Sequence, residues 1–245
     1  MSGPAAYAGL ILYTLPGLVT GLVIHELAHA AVALRCGDPS PRRDGRMTLD
    51  PRRHLDPFGF PALLVAGFGW AKPVSLNPLH LRSARQRAAV AAAGPLAHLA
   101  VAAVFAIALR VEQAASGIDL NGFETQAQSS AQAILLGVLL QGFFINIALF
   151  VFNALPIPGL DGFAFLRSLA FGSVPRLFLW LERNRFVVYA LIVFVVVALP
   201  EATHGLVNPL AAATTGTATV LFDHVVDPGV TPIFLGLPNI FMLLG

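Results

Sequence analysis

The sequence predicts an all-α polytopic membrane protein, with about four to six transmembrane helices and a re-entrant or interfacial segment between the first two. Three observations carry this. Of the 245 residues, 56% are hydrophobic and 11% charged, whereas a soluble domain carries about 25% charged residues. Mean hydropathy is +0.75, and several apolar runs approach the roughly 20 residues that cross a bilayer as a helix. The basic residues sit in loops beside those runs, which is the distribution of a topology signal. The pI near 9.1 therefore does not point to nucleic acid, because the formal excess is only +2. The single cysteine, Cys36, excludes an intrachain disulfide, and no internal repeat is evident.

The first span runs from about Ala5 to Leu34. It has no basic region before it and continues as a long helix, so it reads as a retained span and not as a cleaved signal peptide. Gly17 and Gly21 form a GxxxG pair that lets another helix approach closely. Arg35–Pro57, rich in Arg, Asp and Pro, reads as a loop, and its His54, like His80 further on, reads as a surface group. Phe58–Trp70 is apolar but too short to cross, which suits a re-entrant segment. The second span is about Ala88–Leu109 and the third about Gln132–Leu155. The third ends in a Pro- and Gly-rich run, Pro156–Gly162, that breaks a helix. A fourth span is expected over about Phe186–Leu199. The whole chain, 1–245, reads as one membrane-embedded domain with its core in 5–200; 201–245 is hydrophobic and unassigned. The composition assigns no oligomeric state.

Fourteen of the 15 basic residues lie between Arg35 and Arg87 or between Arg167 and Arg185. With Phe58–Trp70 re-entrant, all of these fall on one side, which the positive-inside rule makes cytoplasmic. The N-terminus is then outside, in what reads as a prokaryotic cytoplasmic membrane. His25 lies ten residues before Arg35, about 15 Å along the helix, so it sits within a hydrocarbon core about 30 Å thick and is reached from the cytoplasmic half.

Within that first span lie His25, Glu26 and His29, its ionisable side chains. Ionisable groups in a spanning helix are costly and mark chemistry. Two histidines four residues apart share one helix face, the spacing of a zinc-binding helix, with a glutamate positioned to act as a base. From this composition, chance supplies an HExxH roughly 0.004 times per chain. A zinc hydrolase needs a third protein ligand and an open position. Asp161, in the helix-breaking turn after the third span, is the best placed, although taken alone it reads equally as a turn carboxylate. Asn146 and Asn153 lie two helical turns apart on one face of the third span, where they could bind unwound substrate backbone or bond between helices. Gly67–Val74 could present a strand edge to an extended substrate or form a plain turn.

His25-Glu26-Leu27-Ala28-His29, followed by Asn153-Ala154-Leu155-Pro156-Ile157-Pro158-Gly159-Leu160-Asp161-Gly162, resembles the site-2 protease family of intramembrane zinc metalloproteases. His54–Gly59, Gly69–Val74 and Ala93–His98 resemble its compact branch without a PDZ insertion, and the likeness runs in order over roughly Leu15–Asp161. It implies one catalytic zinc ion held by His25, His29 and Asp161, with Glu26 catalytic. It also implies transmembrane protein substrates cut within the lipid bilayer. The sequence departs from the family pattern at His98, where Asn is common and which reads as a hydrogen-bonded helix-interface histidine or a further metal contact, and at Gly159 and Phe163, neither of which removes a ligand. The competing reading is a non-proteolytic zinc-binding membrane protein or transporter. Repeat symmetry and several polar spans, the usual signs of a transporter, are absent from this sequence.

Overall fold

A computed structural model describes residues 4–66, 70–118, 130–171 and 174–193. Among its described residues the regular structure is helical, with turns and loops between the helices and one isolated bridge, Leu55 with Ala71. Three helices dominate: α1 (Pro4–Arg35), α4 (Ala84–Ser116) and α5 (Ser130–Ala154). Each contains a stretch long and apolar enough to cross a membrane. Between α1 and α4 come the short α2 (Ser40–Arg43), one 3-10 turn (Pro51–Arg53) and α3 (Gly59–Ala66). After α5 come α6 (Asp161–Leu169), α7 (Val174–Arg183) and α8 (Arg185–Val193). The expected fourth span is described only as far as α8, and 194–245, with His204 and His224, lies outside the described residues.

The three long helices pack through small residues. A side chain on Gly17 would sit 2.4 Å from Gly142 Cα, and one on Gly21 would sit 2.1 Å from Asn146 Oδ1. GxxxG spacing thus serves close backbone approach, where dispersion and interhelical hydrogen bonds replace a hydrophobic driving force. The pairs Tyr13–Gly137, Gly17–Gly142 and Gly21–Asn146 advance together, so α1 and α5 run parallel. Gly94 faces His25 and His29 while His98, further along α4, faces Gly21, so α4 runs antiparallel to α1. Ala102, Ala106, Leu109, Leu136, Phe143 and Ile147 fill the α4–α5 interface. Leu18, Leu22, Ile145 and Leu149 fill the α1–α5 interface, covered by Phe60 and Leu64 of α3. At eight residues, α3 is too short to cross. The start of α4 is closed by a capping box, in which Gln86 N donates to Ser83 Oγ and Ser83 N to Gln86 Oε1. Such reciprocal bonds satisfy two otherwise unpaired amide donors.

The polar stretch after α1 is more ordered than its composition suggests. Arg46 is buried and donates to the carbonyls of Arg53, Lys72 (3.1 Å) and Pro73 (2.8 Å). His54 is not the surface group its loop setting implies: it is fully buried, 2.8 Å from the Thr48 carbonyl through Nε2. His80 is half-buried against the fully buried Asp38, which also accepts from the amides of Asn77 (2.7 Å) and Ser40 (3.0 Å). Burial opposes ionisation of Asp38, but these amide donors outweigh it and hold its carboxyl below the ordinary carboxylate range. A charge or a ring is buried here because backbone groups of a non-helical segment need partners once water is excluded.

Candidate metal centre

His25, Glu26 and His29 lie on the inner face of α1 and are buried. Asp161 comes to them from a different element. The α1–α5 register places Ala154, the last residue of α5, level with His29. The chain then turns through Leu155–Leu160, with Gly159 at φ +94°, before α6 begins at Asp161. Gly162 is required for this turn, since a side chain there would meet the Ala154 carbonyl oxygen at 2.1 Å. Tyr189 of α8 braces it by donating to the Pro158 carbonyl (2.8 Å).

Three potential ligand atoms converge. His25 Nε2 and His29 Nε2 are 3.1 Å apart, and Asp161 Oδ2 is 3.2 Å from the first and 3.3 Å from the second. Ligands 2.0–2.1 Å from a tetrahedral zinc ion are separated by about 3.3 Å, so the triangle has the dimensions of one face of such a site. Protonation points the same way. His29 Nδ1 is 2.7 Å from the Val90 carbonyl, which can only accept, so Nδ1 carries the proton and the neutral ring has a bare Nε2. That lone pair faces a carboxylate oxygen and another imidazole nitrogen, an arrangement that a cation stabilises. The Val90 bond is the kind of outer contact that fixes the tautomer of a metal-binding histidine.

Glu26 stands beside the triangle. Its Oε2 accepts from the Val74 amide at 3.1 Å, and the Val74 segment is in turn held by Arg46 through the Lys72 and Pro73 carbonyls. Of the Gly67–Val74 segment, read as a strand edge or a plain turn, 67–69 lie outside the described residues; further on, Lys72 N donates to the His54 carbonyl, the Lys72 and Pro73 carbonyls accept from Arg46, and the Val74 amide serves Glu26. A cavity of about 980 Å³ opens over the site, lined by Leu22, Glu26, Trp70, Val74, Leu149, Asn153 and Asp161 among others.

The two asparagines separate. Asn153 lines the cavity, with its amide nitrogen donating to the Leu149 carbonyl (2.9 Å). Asn146 does not face the cavity. It is fully buried between helices, donating to the Gly17 (3.0 Å) and Gly142 (2.8 Å) carbonyls, with Oδ1 3.0 Å from His98 Nδ1. The two share a face of α5, but Asn146 lies about 10 Å further from the end of the helix, at a level where Gly17 of α1 and His98 of α4 close over that face. Sequence reasoning missed Gly94. A side chain there would lie 2.3 Å from His29 Nε2 and 2.7 Å from His25 Nε2. A lone glycine inside the alanine-rich start of α4 was the available signal.

The profile of Peptidase family M50 matches residues 13–199. The chain belongs to that family. Among curated relatives, YwhC of Bacillus subtilis (strain 168), which carries a zinc-metalloprotease name, is 33% identical over 220 residues, covering 89% of this chain and 94% of the relative. Rip2 of Mycobacterium tuberculosis (strain H37Rv), named likewise, is 33% identical over 168 residues, 66% of this chain and 59% of the relative. Rip2 of Mycolicibacterium smegmatis is 31% identical over 169 residues, with the chain again spanning 59% of the relative's length. No solved structure matches the chain. The M50 match takes in most of α1, all of α4 and α5, and the turn to α6, and so contains every residue of the triangle.

Proposed function

We propose that this chain cuts peptide bonds within transmembrane segments of other membrane proteins, with His25, His29 and Asp161 holding one zinc ion and Glu26 as the acid–base residue. As an M50 peptidase with three helices long and apolar enough to span a membrane among its described residues, it is a multi-pass zinc metallopeptidase. The observation that carries the residue assignment is the 3.1–3.3 Å triangle of ligand atoms inside the bundle. Zinc bound there supplies a Lewis acid and a water whose pKa falls to about 7.

The chain's own residues do the rest. Glu26 takes a proton from the attacking water and passes it to the leaving amine. The Val74 amide fixes Oε2, which leaves Oε1 to move that proton. The substrate helix must unwind before cleavage, because its peptide groups are otherwise bonded internally and shielded. Asn153 keeps a second N–H beyond the one given to Leu149, and offers it to the unwound backbone. The distribution of basic residues supports an N-terminus outside and a cavity reached from the cytoplasmic half of a prokaryotic membrane.

The test is cleavage of a tagged single-span substrate by purified protein in proteoliposomes, with Glu26→Gln alongside. Cleavage should fall by about 10²–10⁴-fold in the variant with zinc content unchanged. Equal cleavage by both would end the role given to Glu26, and metal flux without cleavage would favour a transporter.

A further inference from the structure

His98 is a fully buried imidazole on α4 that the chemistry above does not use. Its protonation is settled by Asn146. Both amide hydrogens of Asn146 are committed, to the Gly17 and Gly142 carbonyls, so its Oδ1 is the atom that faces His98 Nδ1 at 3.0 Å. An amide oxygen only accepts. His98 Nδ1 is therefore the N–H, and the neutral ring keeps a bare Nε2. That Nε2 is buried and has no hydrogen-bond partner among the described residues.

The ring beside it has the opposite deficit. His25 turns Nε2 toward His29 and Asp161, so as a ligand through that atom it carries its proton on Nδ1. His25 Nδ1 is also buried and has no partner among the described residues. The two rings have centroids 4.8 Å apart and are tilted by 40°. Two imidazoles joined by an N–H···N bond have centroids about 5 Å apart. An unmatched donor and an unmatched acceptor thus lie side by side at the separation that pairs them, and a small reorientation of the rings completes the bond.

We propose that His98, held by Asn146, is the acceptor for the His25 Nδ1–H and so is a positioning residue for the metal site. It does for His25 what the Val90 carbonyl does for His29, and α4 would then hold both imidazoles. This rests on the reading of His25 as a metal ligand through Nε2. Outer-sphere partners of this kind typically change metal affinity by 10- to 100-fold.

The experiment uses the full-length protein in detergent, stripped of metal. Zinc affinity is measured by chelator competition, and the cobalt-loaded form gives the d–d spectrum. His98→Phe keeps a ring and loses the acceptor; His98→Leu is a second acceptor-free variant should the phenyl ring block folding; His98→Gln restores an acceptor. Thermal unfolding of the zinc-free proteins controls for packing. The expected result is a 10- to 100-fold loss of zinc affinity in the acceptor-free variants, with an altered cobalt spectrum and most of the affinity recovered in His98→Gln. Zinc affinity and cobalt spectrum unchanged in a folded acceptor-free variant would overturn the role of His98 alone. Wild type that holds no zinc, or His25→Ala that binds it as well as wild type, would overturn the ligand reading and this proposal with it.

Discussion

Adding one methyl group at Gly94 should weaken the proposed metal site while leaving the fold. The Cβ of Gly94→Ala would lie 2.3 Å from His29 Nε2, 2.5 Å from His25 Cε1 and 2.7 Å from His25 Nε2. Ordinary carbon contacts are about 3.5–4.0 Å, so the overlap is about 1 Å against two rings at once. Neither ring retreats freely, because His29 is bonded to the Val90 carbonyl and His25 packs on His98. Overpacking of this kind costs about 1–3 kcal/mol. Spent on displacing the ligands, that is roughly a 5- to 150-fold loss of zinc affinity. The helix itself gains, since alanine is favoured over glycine by about 0.5–1 kcal/mol in a helix interior. Chelator competition for zinc and thermal unfolding of the zinc-free protein read the two effects separately. Zinc affinity equal to wild type, in a protein that unfolds at the same temperature, would refute the placement of Gly94 against the imidazoles.

Gly17→Ala should behave oppositely, lowering bundle stability through the 2.4 Å approach to Gly142 by about 1–3 kcal/mol, seen as a lower unfolding temperature in detergent. Arg46→Ala removes a charged donor from three carbonyls, bonds worth about 1.5–3 kcal/mol when the donor is charged. Amide exchange over Lys72–Val74 should accelerate and turnover should fall, with zinc content kept. The depressed carboxyl of Asp38 makes its contribution to stability fully present above its unfolded-state value of about 3.9. That contribution is lost as pH falls through the lower folded value. A pH series of unfolding temperatures should therefore show an acid limb below about pH 4 that is weakened in Asp38→Asn. Chelation should stop cleavage of a model span and added zinc should restore it; cleavage that survives complete zinc removal would contradict the metallopeptidase chemistry.

The three spans were legible because length and hydropathy are local quantities, and a bilayer imposes both on any crossing helix. His25, Glu26 and His29 were legible for a related reason: charge in such a helix has few bland explanations. Asp161 needed the resemblance, since a turn carboxylate has no local mark that separates it from a ligand. From sequence alone His54 reads as a surface group and Asn146 stays open between substrate and interhelical bonding, because what decides them is contacts that no local pattern reports. Arg46 and His54 sit in a polar stretch, and their burial follows from carbonyls of Arg53, Lys72, Pro73 and Thr48 that turn inward. Asn146 was placed on the correct face of α5, but only the approach of Gly17 and His98 shows that α1 and α4 occupy it. No periodicity in α5 reports what its neighbours present.

The separation of the proposed ligands along the chain has a consequence for biosynthesis. His29 and Asp161 are 132 residues apart, with two further crossings between them. A nascent polypeptide that has inserted only its first two helices carries the paired imidazoles and the glutamate but lacks the aspartate. With His25, His29 and Asp161 holding the zinc ion as proposed, such an intermediate would lack a competent hydrolytic apparatus, which would spare the membrane-insertion machinery and its neighbours until the third crossing is in place and the chain has turned back.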